Sequence, residues 1–249
     1  MAQNSHIETR QLTRHQEFSD TVRLQREIWG FEEVDLIPLR LFVVADKIGG
    51  QVLGAFDGAK MIAFCLCLPA LKPGNKSYLH SHMLGVLPEY RNTGLGRTLK
   101  LKQREYAIAR GIDLIEWTFD PLETKNAFFN IERLGAIARR YVYNQYGMTT
   151  SRLHGGLPTD RLVAEWWVRS PRVEAFSGDR EYQRSPTEAI IAVPNGISGL
   201  RQSEPSRALE IQMSTSEEFD RCFRDGLAVI GFERTKEDGR YLLGRWESK

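Results

Sequence analysis

The chain has 249 residues, of which 41% are hydrophobic and 27% charged, a make-up that suits a soluble globular protein with length enough for a proper core. Its 34 Lys and Arg stand against 32 Asp and Glu, a formal charge of +2 that argues against general affinity for nucleic acid. The opening MAQNSHIETRQL lacks an apolar core, so no signal peptide is expected, and no stretch approaches the length of a membrane span.

Taken in chain order, residues 6–12, from His6, predict a short strand, and 16–29 a helix with Phe18, Val22 and Ile28 on its apolar side. Pro38 opens a second helix that runs to Ala45. Segments 51–56 and 60–71 predict two strands around Asp57-Gly58, a hairpin turn signal, and Lys72-Pro73-Gly74-Asn75 is the next turn. A strand over 77–87 leads to a helix over 95–109, which Gly111 stops, and 114–119 is again a strand. A short helix over 126–134 closes near Gly135, and 138–146 and 162–168 read as further strands. Residues 171–207 are rich in Pro, Gly and Ser, with 190–193 their one apolar run. Ser214 and Glu217 form a capping box that predicts a helix through Asp225, followed by strands at 227–232 and 241–243. Strands first, then β-loop-α-β-α-β, is the order of an α/β (α+β) fold with a mixed central sheet and helices on both faces.

Cys65 and Cys67 alternate onto one side of the third strand, which makes a bond between them unlikely to form. With Cys222 the count is odd, which points to reduced, buried thiols and a cytoplasmic protein. Ligands for a zinc site are too few nearby, so no metal is expected.

The most informative segment is 83–102, MLGVLPEYRNTGLGRTLKLK. An apolar strand passes through Pro88 into a turn with Gly94 and Gly96, and a basic helix follows. Closely spaced glycines at a strand-to-helix turn let backbone N–H groups converge where the helix dipole adds positive charge, a geometry that binds phosphate. Two familiar phosphate loops do not fit. Leu99 stands where a dinucleotide fingerprint needs Gly or Ala, and Arg97-Thr98 stands where a nucleotide P-loop needs G-K-[ST]. Between Arg91 and Arg110 there are six Arg or Lys and one acid, Glu105, and Arg97, Lys100 and Arg104 fall at i, i+3, i+7. The competing reading is a tight turn followed by a solvated basic helix.

The run Arg91-Asn92-Thr93-Gly94-Leu95-Gly96, an R-x-x-G-x-G motif preceded by V-x-P-x-Y-R, resembles the acyl-CoA pyrophosphate loop of the GNAT N-acetyltransferase superfamily. The resemblance implies acetyl-CoA or another acyl-CoA as co-substrate, held by Arg91, Asn92, Thr93, Gly94, Leu95, Gly96 and Arg97. It implies that backbone near Leu84 and Val86 aligns the pantetheine, and that Asn126 contacts the pantetheine arm, helix capping being the alternative for that residue. It covers about residues 5–170, so the expected organisation is a catalytic domain over 1–170 and a docked αβ extension over 171–249.

Alternation places Tyr78, His80, His82, Leu84 and Val86 on one face, with the two histidines roughly 7 Å apart. Imidazoles with an ordinary pKa near 6.5 are natural carriers of an amine proton at neutral pH. The run L-H-S-H-M-L-G-V is similar to the H-x-H strand of aralkylamine N-acetyltransferases, which implies a proton-relay role for His80 and His82. Two core or edge histidines are the plainer reading. Where the family often places an acidic Tyr, this chain has Ile131, and Tyr141, Tyr143 or Tyr146 are the substitutes within reach in sequence. Glu116 is an alternative base, although one carboxylate in a strand reads first as structural or substrate-positioning, and Trp29, Phe31, Trp166 and Trp167 are candidates for an apolar amine pocket or for plain core. The expected activity is N-acyl transfer to an amine, a small molecule rather than a protein, with no nucleic acid or membrane partner and a homodimer allowed. The other function class is an acyl-CoA sensor or partner-binding module without turnover.

Overall fold

A computed structural model describes residues 7–147 and 156–247. His6, where the first strand is expected to start, lies outside them. The chain divides into two compact units, residues 1–115 and 116–249.

The first unit contains β1 (Ile7–Gln11), α1 (His15–Trp29), α2 (Leu39–Lys47), β2 (Gln51–Asp57), β3 (Lys60–Lys72), β4 (Lys76–Val86) and α3 (Leu95–Ala109). Its strands lie in the order β1-β2-β3-β4, each pair antiparallel. The hairpin between β2 and β3 turns at Asp57-Gly58, where Gly58 takes φ +59°. The core joins Leu12 and Phe18, Phe42 and Ala45, the inward residues of β2 and β3, and Leu95 and Leu99 of α3. Burying such a side chain contributes about 1.5–3 kcal/mol. The start of α1 is fixed by Glu17, whose carboxylate accepts from the Thr13 and Arg14 amides at 3.1 Å each, from Arg10 Nη2 at 2.7 Å and from Arg14 Nε at 2.8 Å. Those donors, Arg10 first, hold its carboxyl down at about 2.

Strand β5 (Leu114–Phe119) carries the boundary between the units. The second unit continues with α4 (Thr124–Phe128), a π-helical turn at Phe129–Arg133, β6 (Ile137–Val142), β7 (Arg161–Trp167), α5 (Pro171–Ser177), β8 (Ala189–Pro194), α6 (Ile197–Ser203), α7 (Pro205–Arg224), β9 (Ala228–Arg234) and β10 (Asp238–Gly244). Strand order here is β7-β6-β9-β10-β8. Strands of the C-terminal segment thus join the sheet through β9 beside β6, with Ala138 opposite Val229.

One expectation for this segment is corrected. The helix expected from Ser214 starts nine residues earlier, with Pro205 in its first turn, and Ser214 donates from mid-helix to the Ile211 carbonyl at 3.1 Å. The Pro-, Gly- and Ser-rich stretch 171–207 holds α5, β8 and α6, with its apolar run 190–193 inside β8. No described helix is long and apolar enough to cross a membrane.

Candidate functional site

The phosphate-loop candidate is a short, well-tied turn. From Val86 the chain enters a 3-10 turn at Pro88–Tyr90, whose Tyr90 hydroxyl donates to Asp57 Oδ2 at 2.7 Å and so fastens it to the β2–β3 hairpin. Thr93 Oγ1 donates to the Tyr90 carbonyl at 2.7 Å. Arg91 Nε reaches back to the Val86 carbonyl at 3.2 Å and closes the strand end. Asn92 and Gly94 take left-handed conformations, φ +64° and +86°, and Gly94 is the N-cap of α3.

That helix begins without a side-chain cap and without an acid in its first turn. The first N–H groups of an α-helix have no intrahelical acceptor, and they carry the positive end of the dipole. Arg91, Asn92, Thr93 and Gly94 are exposed, and a Cβ built on Gly94 would meet nothing within 4 Å. The donor set and the open space before it fit a diphosphate. Leu95 faces the core, while Gly96 and Arg97 are half-buried.

The basic helix behind the turn is divided by burial. Its inward side is Leu95, Leu99, Lys100, Gln103 and Ala107, so Lys100 does not share an outer face with Arg97 and Arg104 as the spacing suggests. Lys100 is 2% exposed and donates from Nζ to Ser81 Oγ at 2.7 Å. Ser81 Oγ donates in turn to Gln103 Oε1 at 3.0 Å. Burial pushes the Lys100 ammonium down to about 8 and the Cys65 and Cys67 thiols up to about 12.

The histidine strand contains a β-bulge that the sequence does not announce. Ser81 lies opposite Cys67 and Met83 opposite Leu66, which leaves His82 as the extra residue. Directly opposed residues share a face, so His80 (opposite Leu68), Met83 and Gly85 (opposite Phe64) lie on one side. Ser81, Leu84 (opposite Cys65) and Val86 (opposite Ala63) lie on the other. The single face expected for Tyr78 through Val86 is therefore broken at the bulge: Leu84 and Val86 turn away from the histidines.

The two imidazoles stay together, with ring centroids 5.8 Å apart. Burial lowers the His82 pKa from its ordinary 6.5, so its ring is neutral at neutral pH. On the histidine face the end of α1 comes down on β4. A Cβ on Gly85 would sit 2.9 Å from Trp29 and 2.8 Å from Ile28. Trp29 stacks on Phe31 at 5.5 Å and meets Phe64 edge-on at 5.9 Å, which makes an aromatic wall there.

In the second unit Asn126 is exposed, and the N-cap of α4 is Glu123, so capping does not account for Asn126. Its Oδ1 accepts from Asn130 Nδ2 at 3.3 Å, and Asn130 Oδ1 accepts from Trp117 Nε1 at 3.1 Å. Ile131 is fully buried within the π-helical turn. Tyr141 donates to Asp160 at 2.9 Å and Tyr143 to Asp220, while the Tyr146 hydroxyl lies 2.9 Å from Thr118 Oγ1. Burial beside Asp160 raises the Tyr141 pKa far above its usual range, so that group keeps its proton. Glu116 is buried in an ion pair with Arg140, and Trp166 is core, donating to the Leu134 carbonyl at 2.7 Å. Among the described residues no group of His, Cys, Asp and Glu is arranged to hold a metal.

Comparison with known proteins gives the fold its class. Residues 12–135 match the model of the Acetyltransferase (GNAT) family, and the chain carries a domain of that family. Solved structures share the fold. Arabidopsis thaliana NAA60 in complex with a bisubstrate analogue is 14% identical with a TM-score of 0.54, covering 65% of this chain and 98% of its own. The same Arabidopsis thaliana protein with acetyl-CoA gives 13% and 0.53, covering 65% and 99%. The ribosomal-protein-S18-alanine N-acetyltransferase of Escherichia coli gives 14% and 0.53, covering 66% and 96%. No curated protein matches the sequence.

Proposed function

We propose that this chain is an N-acetyltransferase that moves an acetyl or other acyl group from acyl-CoA to an amine, a small molecule rather than a protein. The observation that carries the reading is the uncapped start of α3, entered through left-handed Asn92 and Gly94 and flanked by Arg91 and Arg97. Its family membership and the acetyl-CoA complex of a structural neighbour support the same ligand.

In this reading the N–H groups from Gly94 to Arg97, with Arg91, Asn92 and Thr93 around them, hold the pyrophosphate. Backbone near Leu84 and Val86 aligns the pantetheine, and Asn126 contacts it. Acetyl-CoA, when bound, supplies the thioester carbonyl that the amine attacks, with the CoA thiol as leaving group. His82, neutral because it is buried, accepts the proton that the amine gives up, directly or through water, and His80 passes it outward. Met83, Trp29 and Phe31 give the acceptor an apolar surface on the histidine side of β4. Residues 1–170 form the catalytic domain and 171–249 an extension docked on it, a reading supported by β9 of the extension lying beside β6. Three free, buried cysteines suit a reducing cytoplasm.

The test is the melting temperature with and without acetyl-CoA, with NAD and ATP as controls, followed by an amine screen that reads thiol release. At a hundredfold excess over Kd a ligand adds about 2.7 kcal/mol, a rise of roughly 5–10 °C at this size. No rise at millimolar acetyl-CoA refutes the reading. A rise without turnover on any amine favours an acyl-CoA sensor, a role consistent with buried Ile131 at the family's tyrosine position.

A further inference from the structure

Three polar groups are buried on the side of β4 opposite the histidines: Lys100 at 2% exposure, Ser81 at 4% and Gln103 at 0%. They form a chain, Lys100 Nζ to Ser81 Oγ at 2.7 Å and Ser81 Oγ to Gln103 Oε1 at 3.0 Å, set against Cys65 and Cys67. Ser81 is the last regularly paired residue before the bulge at His82. We propose that Lys100, Ser81 and Gln103 are a register lock that keeps the extra residue of β4 at position 82, and that they are thereby positioning residues for the histidine pair. The inference rests on the acetyltransferase reading.

The argument is one of parity. A strand presents alternate side chains to alternate faces, and an extra residue resets the alternation from that point. If the extra residue moved one place toward the N-terminus, His82 would take the position opposite Cys67 and turn toward α3, and Ser81 would turn away. Lys100 and Gln103 would then lose the hydroxyl that lies between them, in a core from which water is excluded. A one-residue slip is cheap where a strand offers similar residues to both faces. Here the single hydroxyl makes it costly.

The lock also ties together the two halves of the candidate site. Lys100 and Gln103 stand five and eight residues after Leu95, in the same 15-residue helix whose first turn follows Gly94. At about 1.5 Å per residue they lie roughly 7 and 12 Å along the axis from that turn. One rigid helix thus sets the phosphate turn at its start and the bulge of β4 at its middle.

The experiment compares wild type with Ser81→Ala, Ser81→Thr and Lys100→Met. Acetyl-CoA affinity is measured by calorimetry, kcat and KM on an amine found in the screen, and amide hydrogen exchange over residues 79–85. The lock predicts that Ser81→Ala and Lys100→Met bind acetyl-CoA within about twofold of wild type while kcat falls about tenfold or more. Amide exchange at 81–84 rises by about the same factor, and Ser81→Thr, which keeps the hydroxyl, restores kcat to within about threefold. Unchanged kcat and exchange in the Ala and Met variants overturn the inference, as does a parallel loss of affinity and kcat, which is general loosening. If the wild type turns over no amine, the activity reading fails and the exchange data alone decide the lock. If Ser81→Ala does not fold, Lys100→Met and Ser81→Thr carry the comparison.

Discussion

Replacing Lys100 by methionine tests whether the buried ammonium is as costly as its surroundings imply. The side chain is 2% exposed, and burial displaces its pKa from the ordinary 10.5 to about 8. The folded chain therefore holds this proton less tightly than the unfolded chain does. The cost is fully present below about pH 8 and is relieved as pH rises toward the unfolded value. At 1.36 kcal/mol per pH unit the whole displacement amounts to about 3 kcal/mol, most of which is recovered between pH 7 and pH 10. Methionine has a similar length and no proton to release. Wild type should consequently gain about 2 kcal/mol or more on Lys100→Met between pH 7 and pH 10, because other titrations cancel in the difference. Urea unfolding of both proteins, followed by tryptophan fluorescence at half-unit steps, measures it. A difference that stays constant within about 0.5 kcal/mol over that range would refute the reasoning and show that Lys100 titrates as an exposed lysine does.

Three further outcomes are expected. Glu17→Gln should lower stability by up to about 3 kcal/mol at neutral pH, since the carboxyl sits at about 2 instead of 4.5 and its side chain is 5% exposed; the deficit should shrink as pH falls from about 4.5 toward 2, followed by denaturant titration. Gly94→Ala meets no atom within 4 Å, so its cost comes from φ +86° alone, about 1–2 kcal/mol, and calorimetry should show weakened acetyl-CoA binding. Because burial lowers the His82 pKa, the acid limb of the kcat/KM profile should fall below pH 6.5, activity being lost as the ring takes up a proton, and His82→Gln should remove that limb.

Much of the first unit is legible in the sequence because its punctuation is strong. Gly94 and Gly111 bracket α3, which runs over 95–109 as expected, and Asp57-Gly58 marks the hairpin. The turn proposed to hold phosphate is legible for the same reason, since two left-handed residues need the Asn and Gly that the motif supplies. The bulge at His82 is not. It holds no glycine, and its position follows from pairing with β3 and from Ser81 meeting α3, both distant in sequence. Lys100 reads as part of a solvated basic face because charge spacing along a helix does not report which neighbour covers it. In the second unit the Ser214–Glu217 pair imitates a helix start, while Pro205 opens one that the intervening amphipathic residues sustain.

The cysteines bear on a hazard of the proposed chemistry. A protein that holds a thioester risks losing the acyl group to its own sulfur, and the thiolate is the species that would take it. With thiols pushed up to about 12 by burial, Cys65 and Cys67 stay protonated at pH 7, where an ordinary thiol is ionised in about one molecule in 30. Cys222 is buried too, and burial raises its pKa as well. Such a chain should not lose an acyl group to its own cysteines.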